Sequence, residues 1–319
     1  MNKFCIITNT GKDPDYKEAG KVLTMIEAHG GSAAILSNKK MGPSSSRQYT
    51  SADQIPEGTE AAIVLGGDGT MIQAARDLRK ISIPILGINI GNVGFLTEID
   101  MDSADEAFDR LARNEYSIES RIMLKARPEL ISDNSMKTPA FYDPGGMKKP
   151  ASAVDTDEKE CHAASPESDV KTGDYFALND IVIMKSSTRM TTLKVFDNGE
   201  LIDDYTADGI IISTPTGSTG YNLSAGGPLM LPEALSLVIT PICPHALNKR
   251  SIVVRADDKI RIEIPETSAP DTLADIIADG LNVKTLGPGA RVDVQVAEET
   301  TKLIKLHGMS FYEKLRLKL

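Results

Sequence analysis

The feature that most constrains the fold of this chain is an apolar run that ends in a glycine-rich turn. The run Ala61–Leu65 has the composition of a buried strand, and the residues from Met71 to about Arg79 have that of a helix. Between them lies the turn Gly66–Thr70, with the sequence GGDGT. Glycine turns between a strand and a helix present backbone N–H groups, which bind anions at the N-terminus of the helix.

The aspartate in this turn indicates phosphoryl chemistry rather than phosphate binding alone. A carboxylate beside a phosphate is repulsive unless it holds Mg²⁺ or accepts the proton of a hydroxyl group. Asp68 is therefore a candidate for either task. The alternative is a purely structural aspartate that caps the N-terminus of the following helix.

Strand-like and helix-like segments alternate over the first 100 residues. The helix is predicted over Asp15–His29, and the strands are predicted over Lys3–Thr8, Ala33–Leu36, Ala61–Leu65 and Pro84–Asn89. Such alternation predicts a doubly wound parallel sheet, whose ligands bind at the carboxyl ends of the strands. A further helix is predicted from Ser103 to Asn114, with Ser103 and Glu106 forming a capping box.

After residue 117 the pattern changes to short strands, with a hairpin turn at Asp197-Asn198-Gly199. The predicted strands are Ile118–Arg127, Phe176–Lys185, Leu193–Phe196, Glu200–Tyr205, Gly209–Ser213, Ser251–Val254, Lys259–Ile264, Thr272–Asp279 and Arg291–Val296. This pattern predicts a second, mostly β domain. Phe311–Leu319 is amphipathic and is predicted to be a helix.

Residues 133–174 form a segment of different composition. They are rich in small, polar and charged residues and contain few large apolar ones. Such a segment buries too little surface to offset its ordering entropy. We interpret it as a mobile insertion between two strands.

Composition limits the class of protein. The chain has 319 residues, enough for two domains, and its three cysteines form neither a disulfide framework nor a zinc pattern. A net charge of −10 argues against nucleic acid or an anionic membrane as partner. Since no transmembrane segment or signal peptide is recognisable, we expect a cytoplasmic protein.

Three further motifs, together with GGDGT, carry a family resemblance. The longest is Asp208–Pro228, which is dense in glycine and hydroxyl residues; the others are Ala177–Ile183 and Pro241–Leu247. With these motifs the chain closely resembles the NAD kinase family, which transfers a phosphoryl group to the adenosine 2′-hydroxyl of NAD. The resemblance extends from Gly66 to about Leu286, except in the insertion of residues 133–174.

The resemblance implies a domain arrangement. An α/β domain would comprise residues 1–117 with 302–319, because the C-terminal segment of the family returns to the first domain. A β-sandwich-like, NAD-binding domain would comprise residues 118–301.

The resemblance also assigns roles to residues. Asp68 would be the general base, and Asn179 and Asp180 would bind the adenosine end of the dinucleotide. Asp208 would contact the nicotinamide side. The remaining predicted substrate contacts are Gly69, Phe95, Thr219, Gly220, Tyr221, Asn222 and Ser224, and the edge of the phosphate-donor site is predicted at Gly66, Gly67 and Thr70.

Taken singly, several of these residues have structural alternatives. Asn179-Asp180 is also a turn-forming pair, and Phe95 is also a typical core residue. Asp180 stands where the family usually has Glu, and Gly220 where many members have Ala. Thr206 and Leu281 stand where relatives often carry Arg or Gln.

The resemblance implies ATP or polyphosphate and NAD as substrates, a divalent ion such as Mg²⁺, and a homodimer or homotetramer. No metal ligand is assigned, since Cys243 and His245 alone do not make a site. The chain contains neither a P-loop motif nor a Gly-x-Gly-x-x-Gly fingerprint at its first helix. Alternatives are a catalytically weak dinucleotide sensor and another kinase with a GGDG turn, such as a lipid kinase or a phosphofructokinase.

Overall fold

A computed structural model describes residues 1–36, 50–91, 94–130, 173–186, 191–246, 250–269, 271–306 and 308–318. The predicted insertion, residues 133–174, lies outside the described residues except for its last two positions. Within the described part, no helix has the length and apolar character needed to cross a bilayer.

The N-terminal part is a parallel sheet with helices on both faces. The strands pair in the order β4-β3-β1-β2, with the short β5 beside β4. The elements are β1 (Lys3–Thr8), α1 (Lys17–Ala28), β2 (Ser32–Ile35), β3 (Ala61–Gly66), α2 (Asp68–Leu78), β4 (Ile85–Asn89), β5 (Ile99–Asp100) and α3 (Ala104–Ala112). The predicted doubly wound sheet is confirmed.

Alternation along the strands separates the two faces of this sheet. Phe4 and Ile6 of β1 pack with apolar residues of α1 and α3, whereas Cys5 and Ile7 pack with those of α2. Side chains of a strand point alternately to opposite faces. This is why the strands are apolar throughout: helices cover both faces.

The C-terminal part consists of antiparallel strands in two packed sheets. Its strands are β6 (Ser117–Leu130), β7 (Tyr175–Ala177), β8 (Asp180–Lys185), β9 (Thr191–Asp197), β10 (Glu200–Ala207), β11 (Gly209–Ser213), β12 (Ser236–Ile242), β13 (Ile252–Arg255), β14 (Ile260–Glu263), β15 (Ala274–Ala278), β16 (Leu281–Leu286) and β17 (Ala290–Lys305). Helix α4 (Tyr221–Ser224) lies between β11 and β12, and α5 (Phe311–Lys318) follows β17.

The two sheets enclose one apolar core, as a β-sandwich does. One sheet has the order β13-β12-β11-β8-β15-β16. The other contains β10-β9-β14-β17, with β6 beside β17 and β7 beside β6. Alternate residues of both, such as Ile210, Ile239, Ile262 and Val294, are buried in the shared core. The predicted sandwich-like second domain is confirmed.

Strand β17 connects the two parts of the molecule. It pairs antiparallel with β6 and β14, and near its end Leu303 pairs in parallel with Ile85 of β4. The parallel strands and one layer of the sandwich therefore form a single continuous sheet. Beyond β17, helix α5 contacts the loop that precedes β5, so the C-terminal segment returns to the first domain as expected. The predicted domain limits stay a prediction.

The predicted strand Phe176–Lys185 is in fact two strands in different sheets. β7 belongs to the sheet of β6, and β8 belongs to the sheet of β11 and β15. Periodicity missed the break because apolar residues flank it on both sides, Phe176–Leu178 before it and Ile181–Ile183 after it. Strands β12 and β16 were also not predicted.

The predicted capping box at Ser103 is wrong. Ser103 is the N-cap of α3 but makes no side-chain capping bond, and its backbone is helical, with φ −91° and ψ 0°. A capping serine normally has an extended backbone, which aims its hydroxyl at the free N–H groups. Here the N–H of Ser103 instead donates to Asp100 Oδ1 at 3.0 Å.

Candidate active site

The GGDGT turn lies where three parallel strands end. The Nδ2 of Asn9, the residue after β1, donates to Thr70 Oγ1 at 3.2 Å, and its backbone N–H donates to Leu65 O at 3.1 Å. A Cβ on Gly66 would overlap the Thr70 side chain, so the turn requires glycine there. Sequence reasoning missed Asn9, whose only indication was its place at a strand end.

The Asp68 carboxylate is held by backbone donors of a neighbouring loop. The Phe95 N–H donates to Oδ2 at 2.8 Å, and the Leu96 N–H donates to Oδ1 at 2.9 Å. A Cβ on Gly94 would overlap Oδ1. The N-cap of α2 is Gly67, so the alternative that Asp68 caps this helix is wrong. Lys318 Nζ of α5 lies 3.7 Å from Oδ2.

Phe95 belongs to this loop, and its side chain faces helix α5. Its ring centroid is 6.2 Å from that of Phe311, and Lys318 Nζ lies 4.6 Å from the Phe95 centroid. With Thr219, Phe95 lines a cavity of about 450 Å³. In the segment before Phe95, Asn92 and Val93 lie outside the described residues. Stacking of Phe95 on a base stays a prediction.

Asn179 and Asp180 lie where the chain crosses from one sheet to the other. Asn179 O accepts from the Thr214 N–H at 2.9 Å. The Asn179 side-chain Oδ1 is buried and accepts no hydrogen bond within the described part of the chain. A buried unpaired acceptor is costly, which marks Asn179 as a ligand-binding candidate.

A buried carboxylate that was not predicted, Asp279, holds this crossing. It accepts from the N–H groups of Leu178 and Asn179, both at 2.8 Å, and from that of Asp180 at 3.3 Å. Asp279 has a left-handed backbone, with φ 48°, at the turn before Gly280. Its only indication in the sequence is this Asp-Gly pair, which is typical of an ordinary turn.

Two carboxylates therefore share one apolar environment. Burial, and then the charge of Asp279, raises the pKa of Asp180 to about 7. Burial also raises the pKa of Asp279, although the hydrogen bonds that its carboxylate accepts from Leu178 and Asn179 lower it. Like charges in a desolvated site favour a protonated form of the pair.

Two adjoining cavities bring the turn and the crossing together. One, of about 300 Å³, is lined by Asn9, Lys12, Gly67, Gly69, Thr70, Ile72, Gln73, Arg76, Asp279 and Leu281. The other, of about 410 Å³, is lined by Ile72, Asn179, Asp180, Val182, Tyr221, Ile277, Asp279 and Gly280. They share Ile72 and Asp279. A larger cavity of about 530 Å³ lies elsewhere, on the sheet of β14 and β17, and contains none of the predicted site residues.

The glycine-hydroxyl segment folds over the crossing. After β11 it forms a helical turn, Thr216–Thr219, and then α4. A Cβ on Gly220 would lie 3.5 Å from Asn179 Nδ2 and 4.0 Å from Asp180 Oδ2, so this loop and the crossing are neighbours. The Tyr221 and Ser224 residues of α4 are exposed.

Asn222, in contrast, has its amide occupied inside the loop. Its side chain is fully buried; Oδ1 accepts from Thr240 Oγ1 at 2.7 Å and Nδ2 donates to Pro228 O at 3.0 Å. A Cβ on Gly227 would overlap this amide. The geometry gives Asn222 a part in shaping the loop, whereas its predicted contact with substrate stays a prediction.

Asp208 lies at the opposite end of β11 and is half-buried. Its carboxylate forms an ion pair with Lys185 Nζ at 2.5 Å. Burial, followed by the charges of Cys243, Asp208 and Asp180, raises the pKa of Tyr221. Among the described residues, no cluster of three or more His, Cys, Asp and Glu side chains is placed to hold a metal ion.

The fold and the site together define a class of protein. A fixed carboxylate in a glycine turn, next to a buried amide and carboxylate, is the arrangement expected of an enzyme that phosphorylates a hydroxyl of a nucleotide-like acceptor.

Comparison with known proteins identifies the family. Residues 5–116 match the ATP-NAD kinase N-terminal domain, and residues 178–306 match the ATP-NAD kinase C-terminal domain. The NAD kinase of Lachnoclostridium phytofermentans is 40% identical over 320 residues, covering 100% of this chain and 99% of that protein. That of Lachnospira eligens is 33% identical over 330 residues and covers 100% of both chains. The chain belongs to the NAD kinase family.

Solved structures share the fold. Yeast NADH kinase complexed with NADH superposes with a TM-score of 0.72 at 20% identity, over 99% of this chain and 86% of that one. An NAD kinase from Archaeoglobus fulgidus in complex with ATP superposes with a TM-score of 0.66 at 19% identity, over 96% and 94%.

Replacing Asp180 by Asn should flatten the pH dependence of stability. The folded state raises the pKa of Asp180 from 3.8 to about 7. Between these values the folded protein keeps a proton that the unfolded chain has released, so stability decreases as pH rises. Asn has no proton to lose, so the Tm of Asp180→Asn should decrease less than that of the wild type between about pH 5 and pH 8.

Thermal unfolding at several pH values tests this expectation. The matched control is Asp204→Asn, because Asp204 is an exposed carboxylate. Its Tm should follow the wild-type curve. Parallel curves of Tm against pH for all three proteins would contradict the raised pKa of Asp180.

Proposed function

We propose that this protein transfers the terminal phosphoryl group of ATP to the adenosine 2′-hydroxyl of NAD, forming NADP. The observation that carries the proposal is Asp68, fixed by two backbone N–H groups in the turn whose glycines, Gly67 and Gly69, line the cavity that adjoins the one at Asn179 and Asp180. Family membership and the names of the similar proteins support it.

Asp68 acts as the general base in this proposal. An ionised carboxylate has about four acceptor positions, and two are occupied by the N–H groups of Phe95 and Leu96. The others remain available to the acceptor hydroxyl. Phosphoryl transfer depends mainly on alignment and charge neutralisation, so a carboxylate held on both oxygens suits the reaction.

The adenosine end of NAD binds at the crossing. Asn179 Oδ1, which lacks a partner within the described residues, accepts from the exocyclic amino group of adenine. Asp180 binds a ribose hydroxyl, and the shorter side chain of Asp relative to Glu is accommodated by a small shift of the ribose. Pairing with the ligand removes the cost of these buried polar groups.

The remaining half of the dinucleotide lies along the glycine-hydroxyl loop. Thr219, Tyr221 and Ser224 offer hydroxyls and a flat ring without adding charge, and Gly220 allows the ligand to approach the backbone closely. Asp208 faces the nicotinamide side. Tyr221 and Ser224 support this placement because they are exposed next to the crossing.

The donor phosphates lie at the N-terminus of α2, next to Gly66, Gly67 and Thr70. Lys12 and Arg76 line the same cavity and supply positive charge. The residues also fit a divalent ion. Mg²⁺ is usually held by one or two carboxylates plus substrate phosphates rather than by an all-protein cage, and the carboxylates at this cavity are Asp279, which lines it, and Asp68, whose neighbours Gly67 and Gly69 line it. When bound, the ion would neutralise charge on the transferred phosphoryl group.

The alternatives have less support. A dinucleotide sensor would not need a carboxylate fixed as Asp68 is. A lipid kinase would not account for the full-length similarity to NAD kinases. By family resemblance we also propose a cytoplasmic location and a homo-oligomer.

Replacing Asp68 by Asn should lower turnover by about 10²- to 10⁴-fold, the usual contribution of a general base. The amide keeps the size of the side chain but accepts a proton poorly. The purified protein is incubated with NAD, ATP and Mg²⁺, and NADP is followed with an NADP-specific dehydrogenase. NAD binding, measured by calorimetry, should persist in the variant.

Three outcomes of this assay are decisive. Turnover that survives in Asp68→Asn would show that Asp68 is not the base. If NADP forms when polyphosphate replaces ATP, but not with ATP, polyphosphate is the phosphoryl donor. An absence of NADP despite NAD binding would support the sensor.

Replacing Gly94 by Ala should also reduce turnover, by up to about 100-fold. The added methyl overlaps Asp68 Oδ1 and must displace the carboxylate or its loop. The matched control is Gly20→Ala in α1, where a Cβ has no atom within 4 Å. The control should keep full turnover in the same assay. Equal turnover in both variants would contradict the tight packing of Gly94 on Asp68.

A further inference from the structure

Helix α5 is the last described element and is far from the GGDGT turn in sequence. It nevertheless contacts the loop that holds Asp68. Lys314 of α5 is buried, with 4% of its surface exposed. Its Nζ donates to Thr97 O at 2.6 Å and to Phe95 O at 3.3 Å. A charged amine has thus been placed against two backbone carbonyls of residues 95–97.

One peptide group connects the lysine to Asp68. The carbonyl of Phe95 and the N–H of Leu96 belong to the same peptide unit. Lys314 binds the oxygen at one end, and Asp68 Oδ1 accepts from the nitrogen at the other, at 2.9 Å. A cation on the carbonyl polarises the peptide and makes its N–H a stronger donor.

The second carbonyl fixes the position of the loop. Thr97 O and the Glu98 N–H belong to the same peptide group. This N–H donates to Gly87 O of β4 at 2.9 Å. Thr97 Oγ1 accepts from the Gly94 N–H at 3.2 Å. The loop is therefore held between the parallel sheet, Asp68 and Lys314.

The surroundings of Lys314 are compatible with a charged amine. Burial lowers its pKa to about 8, Lys305 and Arg121 lower it as well, and Glu98 and Asp68 oppose that change. A group with this pKa is mostly protonated at neutral pH. Burying a charge without a carboxylate contact is costly, so packing alone does not explain lysine here.

We propose that Lys314 is a positioning residue for the phosphoryl transfer: through the Phe95–Leu96 peptide it orients the carboxylate of Asp68. This inference rests on the proposed function of Asp68 as the base. Lys314 acts through the backbone of the loop that holds Asp68. The C-terminal helix thereby belongs to the catalytic machinery rather than only to the packing of the first domain.

Steady-state kinetics of Lys314→Met test the proposal. We expect kcat to decrease by about 10- to 100-fold, because the base loses its alignment. The KM for NAD should change by less than about twofold, since the adenosine contacts are elsewhere. Lys314→Arg should recover most of the turnover, because a guanidinium stays charged and donates to carbonyls.

Two further variants separate positioning from folding. Arg316→Met removes an exposed cation from the same helix and should leave kcat and KM unchanged. If Lys314→Met does not fold, as judged by thermal unfolding, Lys314→Gln replaces it and should show the same loss of kcat. Gln keeps N–H donors but not the charge.

The outcomes distinguish this inference from the proposed function. A wild-type protein that forms no NADP overturns the proposed function and the inference with it. A wild type that forms NADP, with a kcat of Lys314→Met within about twofold of it, overturns only the inference. A loss that Arg does not recover, or one that appears as KM rather than kcat, also overturns it.

Discussion

The hydrogen bonds that the Asp279 carboxylate accepts at the crossing are the interaction on which the arrangement of the site depends. They hold the backbone from Leu178 to Asp180, where the chain leaves one sheet for the other. Unpaired N–H groups in this buried position would be costly. Because the crossing is fixed, the Asn179 amide and the Asp180 carboxylate face the cavities beside the glycine turn.

A second set of backbone bonds fixes the other half of the site. Asp68 receives N–H groups from a loop that β4 and helix α5 hold in place. Both halves follow one rule: hydrogen bonds between a carboxylate and backbone N–H groups from another part of the chain hold the site in place. Strand β17 makes this possible, because it joins the parallel strands to the sandwich in one sheet.

Local sequence patterns predicted the strands and helices well where apolar periodicity or a glycine turn marks them. The apolar strands, the GGDGT turn and the final helix are all present. Prediction failed where the information is not local. The break at Leu178 depends on which sheet each half joins, and the place of Asp279 depends on hydrogen bonds to Leu178, Asn179 and Asp180, which are far away in the chain.

The sequence alone determined the fold class and the family, because strand and helix periodicity and a short glycine motif are properties of neighbouring residues. Only the tertiary structure decided how the site is assembled. It brought Asp279 under the crossing and Lys314 onto the loop of Asp68, and it turned the Asn222 amide inward. These contacts join residues far apart in the chain, where local periodicity carries no information about distance in space.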